Sequence, residues 1–141
     1  MITFDQYKMG VIGPNDLDSV WNTVKPLLQM ALVSIGDMTA ECIKNEIAEN
    51  RNQLWVVTNE DEWCVCAFVT QTLTYSDSKK VTVINYLGGE DFHLWGQGLL
   101  TELESTLKEQ GVSALRIIGR KGWERLLMGY SHNSTIIEKE L

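Results

Sequence analysis

Val81-Thr82-Val83-Ile84-Asn85-Tyr86-Leu87-Gly88-Gly89-Glu90-Asp91-Phe92 is followed by Trp95, Leu99, Leu103 and Leu107, then by Gly111, then by Ala114-Leu115-Arg116-Ile117-Ile118. Val81 to Leu87 is a run of β-branched, aromatic and aliphatic residues, the pattern of a strand. Gly88-Gly89 breaks that pattern. Glu90 or Asp91 then opens a helix that runs to about Gln110, with its apolar residues on one face. Gly111 is a C-terminal stop, and Ala114 to Ile118 reads as a buried strand. A strand, a helix and a second strand in immediate succession predict a right-handed crossover between parallel strands.

Upstream, Leu54 to Thr58 and Trp63 to Thr74 read as strands joined by the short polar turn Asn59-Glu60-Asp61-Glu62. Ser76-Asp77-Ser78-Lys79 leads on to the strand at Val81, giving an antiparallel meander. Ile2 to Tyr7 reads as a first strand, and Gly10 to Pro14 as the turn after it. A helix from Leu17, capped by Asn15 or Asp16, carries the buried stripe Leu17, Val20, Trp21, Val24, Leu27, Leu28, Ala31 and Leu32. Pro26 is expected to kink it. Thr39 caps a second helix with Ile43, Ile47 and Cys42 inward. Trp123 to Leu127 reads as a short helix and Thr135 to Glu138 as a closing strand. The order β-α-α-β-β-β-α-β-α-β predicts an α+β fold: one domain over residues 1–141, with a mixed, mostly antiparallel sheet and helices on both faces.

The chain has 141 residues, 12 Lys and Arg against 19 Asp and Glu, and a net charge of −7. Its 44% apolar content is that of a globular domain,. No apolar run is long enough to span a membrane, and no basic-then-apolar leader is present, so a cytoplasmic protein is expected. The acidity argues against nucleic-acid binding. The one basic cluster, Arg116, Arg120, Lys121 and Arg125, reads as a solvated loop and helix end. Cys42, Cys64 and Cys66 are expected as free thiols. Alternation puts Cys64 and Cys66 on one side of their strand. With His93 and His132 standing alone, no metal site is expected. Most of the five tryptophans should be core, with Trp63, beside a turn, partly exposed,.

The junction after Leu87 has a physical meaning of its own. Glycine lets a backbone approach a ligand closely. A helix N-terminus adds unpaired N–H groups and partial positive charge. Together they make a seat for a diphosphate.

The element order resembles the GNAT N-acetyltransferase superfamily. So do Tyr86-Leu87-Gly88-Gly89-Glu90-Asp91-Phe92 with Trp95, Gly119-Arg120-Lys121-Gly122-Trp123, and Gly129-Tyr130, which are similar to small GNAT-like proteins of phage and prophage genomes. The resemblance implies an acyl-CoA-dependent N-acyltransferase that moves acetyl from acetyl-CoA to an amine on a small molecule or protein. It places the cofactor at the main chain of Asn85, Tyr86 and Leu87, with its pyrophosphate at Gly88 and Gly89. It builds the acceptor pocket from the Val33 to Thr39 connection and the region around Ser76. It also allows a GNAT-like phage protein that binds without catalysing, virion-associated or in the host cytoplasm, and a homodimer through a C-terminal edge strand.

Three features depart from that pattern. The nearest match to the superfamily's pyrophosphate loop, His93-Leu94-Trp95-Gly96-Gln97-Gly98, falls inside the helix, where its glycines serve close packing. Glu90 and Asp91 are acidic and read as helix caps. The tyrosine expected four residues before Gly129 is replaced by Arg125, while Tyr130 reads as a core aromatic. Glu46, Glu62, Glu90 and His93 are formal candidates for the base. A Gly89→Glu change is expected to block cofactor binding and leave the fold intact.

Overall fold

The computed structural model describes residues 1–32, 38–118, 127, 129–131, 139 and 141. The expected short helix, the closing strand, the cations at 120, 121 and 125, and most of the 33–39 connection lie outside the described residues.

The chain folds back earlier than its sequence suggests. Asp5 takes a φ of 49°, a left-handed conformation that aspartate tolerates better than most residues. The stretch expected as one strand is therefore a hairpin, β1 (Ile2–Phe4) and β2 (Tyr7–Ile12), with Ile2 opposite Met9 and Phe4 opposite Tyr7. Gly10, expected in a turn, is paired with Val56 in mid-strand.

A 3-10 turn at Pro14–Asp16 runs straight into α1 (Leu17–Leu32), which continues past Pro26. The N-cap of that turn is Gly13, which makes no side-chain cap. The side chain of Thr39 accepts from the Cys42 N–H and caps α2 (Ala40–Ala48), as expected, a bond worth about 1 kcal/mol.

Four strands complete the sheet: β3 (Gln53–Thr58), β4 (Cys64–Thr74), β5 (Lys80–Gly89) and β6 (Ala114–Ile117). Between β5 and β6 lies α3 (Phe92–Glu109). The order is sequential, β1 to β6, with every pair antiparallel except β5–β6, which is parallel. Both meander turns close as read: the Asn59 side chain accepts from the Asp61 and Trp63 N–H groups, and that of Asp77 from the Lys79 N–H.

Each face of the sheet carries helices. On one, Met9, Trp55, Phe68, Ile84 and Leu87 pack against Trp95, Leu99, Leu100 and Leu103 of α3. On the other, Leu54, Ala67, Val69 and Tyr86 pack against Trp21, Val24 and Leu28 of α1 and Ile43 and Ile47 of α2. Each large side chain buried this way contributes about 1.5–3 kcal/mol.

Two expectations are corrected. Ala114 and Arg116 are exposed while Leu115 and Ile117 are half-buried, so β6 is not a buried strand: α1 lies on β4 and β5 instead. Cys64 and Cys66 do not share a side. Cys66 sits opposite Val57 and Cys64 opposite Thr58, which leaves Val65 as a surplus residue. That bulge reverses the alternation, so Cys66 enters the α3 core and Cys64 packs in the α1/α2 layer. Trp63 is 72% exposed, whereas Trp21, Trp55 and Trp95 are buried.

Gly88 is where α1 meets the sheet. A Cβ there would stand 1.7 Å from the Leu27 carbonyl oxygen, whereas one at Gly10 meets nothing within 4 Å. Overpacking normally costs 1–3 kcal/mol and sometimes more. Gly88→Ala should therefore lower stability by about 3 kcal/mol or more in chemical denaturation, while Gly10→Ala shifts the midpoint little. Thiol labelling gives a second check. Cys42, expected to face inward, is instead exposed, while burial raises the Cys64 thiol, and burial followed by the charge of Cys64 raises Cys66 well above the ordinary range. Because the thiolate is the reacting species, Cys42 should label first, Cys64 slowly, and Cys66 only on unfolding.

Candidate functional site at the open edge of β5

Among the described residues, β5 has two neighbours along its first half and one along its second. Its parallel ladder with β6 pairs Val81 with Ala114 through Ile84 with Ile117, and ends as the Ile118 N–H donates to the Ile84 carbonyl at 3.0 Å. Beyond Ile84, no strand among the described residues pairs with that edge. On the other edge β4 continues, but Val69 faces Tyr86 while Thr70 faces Ile84, so Asn85 is surplus. A bulge and the end of the parallel ladder thus coincide at one residue.

The five residues named from sequence sit along this segment, each side chain with a packing role or an intermediate position. Asn85 is the half-buried bulge residue. The Tyr86 ring packs in the α1/α2 layer and Leu87 in the α3 core. Gly88 lies under the Leu27 backbone. At Gly89 a Cβ would stand 2.5 Å from the Val65 carbonyl oxygen and 3.1 Å from the Trp95 ring. The strand does not stop at the glycines: Gly88 and Gly89 pair with Ala67 and Cys66. Gly89→Glu therefore strains the fold itself, contrary to expectation.

Only Glu90 and Asp91 separate β5 from α3, and both are exposed. Asp91 holds the N-cap position at a φ of 59° with no side-chain cap; its carbonyl accepts from the Leu94 N–H at 2.8 Å. The Glu90 carbonyl accepts from the Trp95 indole at 2.8 Å. His93 lies on the exposed surface of α3. Gly96 lies under the Phe92 ring and Gly98 against Phe4, so the run from His93 to Gly98 is helical and its glycines serve packing.

Of the other ionisable candidates, Glu62 is exposed at a φ of 64° in the β3–β4 turn. Glu46 is half-buried on α2 and accepts from the Asn52 amide. Asn52 was missed from sequence; its buried position two residues beyond the left-handed Asn50 follows from how α2 ends. Tyr130 is half-buried against the α3 core, and its hydroxyl donates to Glu104 Oε2 at 3.1 Å. Burial, then the charge of Glu104 and that hydrogen bond, raise its pKa far above the ordinary phenol range.

No protein-family model and no curated protein matches the sequence. Solved structures match it along almost its whole length. The ribosomal-protein-alanine N-acetyltransferase of Brucella melitensis biovar Abortus superposes with a TM-score of 0.69 at 11% identity, over 95% of this chain and 99% of that one. A GNAT family acetyltransferase of Staphylococcus aureus gives 0.68 at 14% identity, over 97% and 100%. An aminoglycoside acetyltransferase from an uncultured soil metagenomic sample, solved with sisomicin, gives 0.65 at 16%, over 96% and 95%. The chain therefore has the GNAT fold, as its element order implied.

Tyr130 yields a pH prediction. Its folded pKa lies above the unfolded phenol value of about 10, so its contribution to stability is whole below that pH and is lost as pH rises through the folded value. Tyr130→Phe should flatten the alkaline fall in stability. In a phenolate absorbance titration, Glu104→Gln should bring Tyr130 only part of the way back, because burial remains.

Proposed function

We propose that the protein is an acyl-CoA-dependent N-acyltransferase, transferring acetyl to an amine. The observation that carries this is the β5 edge from Asn85 to Gly89, which is a strand on one side and has no strand partner on the other among the described residues. An edge of that kind accepts an extended amide-bearing arm as it would another strand. The two amides of a pantetheine arm fit it, and the main chain of Asn85, Tyr86 and Leu87 would hold them. The neighbours with the same fold are acetyltransferases by name, which supports the reading.

When bound, the thioester supplies an activated carbonyl: a C–N bond forms to the amine, the C–S bond breaks, and the thiol leaves with a proton while the amine nitrogen gives one up. The residues of this chain supply placement. The bulge sets the strand edge, and the α3 core under Leu87 keeps it rigid. The Tyr130 hydroxyl donates a hydrogen bond to Glu104 and serves that contact.

The diphosphate end fits less closely. The two-residue connection carries Glu90 and Asp91, and carboxylates beside a phosphate repel it. This gives the test. Ligand at 100 times its Kd raises stability by about 2.7 kcal/mol, so acetyl-CoA should raise the Tm clearly. Glu90→Gln with Asp91→Gly removes both charges and suits the left-handed position, and should tighten acetyl-CoA binding several-fold. No shift at millimolar acetyl-CoA in either protein overturns the proposal. Binding without acetyl transfer to any amine would leave a binding protein of GNAT fold.

A further inference from the structure

Three chain reversals meet at one end of the sheet. Phe4 faces Tyr7 across Asp5-Gln6, Lys8 faces Thr58, Thr58 faces Cys64 across the Asn59–Trp63 turn, and Cys66 faces Gly89, where Glu90-Asp91 leads into α3. The reversals are packed together. A Cβ on Gly89 would stand 2.5 Å from the Val65 carbonyl oxygen, and one on Gly98 would stand 3.1 Å from the Asp5 carboxylate. Trp63, two residues before Val65, is 72% exposed, and Leu94, one α3 turn before Gly98, is 60% exposed. Cys64 packs in the α1/α2 layer, so strand alternation turns its neighbour Trp63 to the α3 side, where Leu94 lies. Val65 and Phe92, both half-buried, belong to the same side.

Lone exposed apolar side chains need no explanation, but a group of them at one end of a molecule marks a contact surface. Its rim says what covers it. The three reversals hold six carboxylates, those of Asp5, Glu60, Asp61, Glu62, Glu90 and Asp91, all exposed, and no Lys or Arg. None of the six is in an ion pair among the described residues. Of the described cations, Lys8 and Lys25 stand toward the other face: Lys8 alternates with Met9 of the α3 core, and Lys25 belongs to α1,. Lys79 and Lys80 lie at the far end of the β4–β5 hairpin, about 30 Å away along the strand,.

This charge eliminates most occupants. A second copy seated through the same patch by two-fold symmetry sets carboxylates against carboxylates. Anionic lipid and nucleic-acid phosphates are repelled. A cationic polypeptide is not: a guanidinium or ammonium group stacks on an exposed indole, and flanking carboxylates add charge-assisted hydrogen bonds. We infer that the end of the sheet marked by Trp63 and Leu94 docks an Arg- and Lys-bearing segment of another protein, with Trp63 as its anchor and the six carboxylates as its rim. The inference does not depend on the transferase reading. It also accounts for Glu90 and Asp91, which a diphosphate seat does not.

The experiment titrates a hexa-arginine peptide, capped at both ends so that it carries no amine to acylate, at low and high salt. Calorimetry gives the affinity, and the indole N–H resonances report the place by NMR. Wild type should bind saturably, with the largest shift at Trp63. Trp63→Ala alters an exposed side chain and should leave the Tm unchanged while weakening binding about tenfold, or about 1.4 kcal/mol. Leu94→Ser should weaken it a few-fold. Glu60→Gln, Asp61→Asn and Glu62→Gln together should weaken it about as much as Trp63→Ala and flatten its salt dependence. Glu109→Gln, at the far end of α3, should leave it unchanged. Equal affinity in wild type and Trp63→Ala means attraction by net charge alone and overturns the inference. So does an equal loss in Glu109→Gln, or no saturable binding at millimolar peptide. Peptide binding without an acetyl-CoA thermal shift fells the transferase reading alone; an acetyl-CoA shift without peptide binding fells this inference alone.

Discussion

Asn85 is one residue more than β4 can pair with, and a sheet absorbs a surplus residue only by bulging. The consequences run in both directions along β5. Side-chain parity reverses at the bulge, so Ile84 and Leu87 both enter the α3 core while Tyr86 enters the opposite layer. Gly88 follows on the α1 side, which is the side on which Leu27 needs an empty position. Removing the bulge would shift the remainder of β5 by one residue, and a one-residue shift exchanges the two faces. Gly88 would then leave α1, and Leu87 would be driven into it. The same point marks the last bond to β6. The packing of both layers therefore depends on one local irregularity, and the ladder to β6 ends beside it among the described residues.

Much of the fold was legible because it is written in local patterns. The α3 stripe of Trp95, Leu99, Leu103 and Leu107 is buried as read, and the parallel pairing of β5 with β6 follows from having a helix between them. Thr39 caps α2 for the reason any threonine before an apolar stripe does. The misread parts are properties of pairs of strands. A surplus residue at Val65 or Asn85 is defined only against a partner strand, so alternation counted along one chain puts Cys64 and Cys66 together when they are apart. The β1–β2 hairpin had one local signal, an aspartate able to take positive φ at Asp5, in a segment otherwise consistent with a continuous strand.

The segment from Asn85 to Gly89 was legible as a strand followed by two glycines, but its residue types reflect packing: glycine under a helix backbone, leucine in the α3 core, tyrosine in the α1/α2 layer. Main-chain N–H and C=O groups carry no residue signature, so an edge that binds through them leaves none in the sequence. Gly88-Gly89 resembled a loop built for phosphate because close approach to a backbone and close approach to a ligand demand the same missing Cβ. The bond from the Asn52 amide to Glu46 could not be read from the sequence either, because the ending of α2 is what brings the two side chains together.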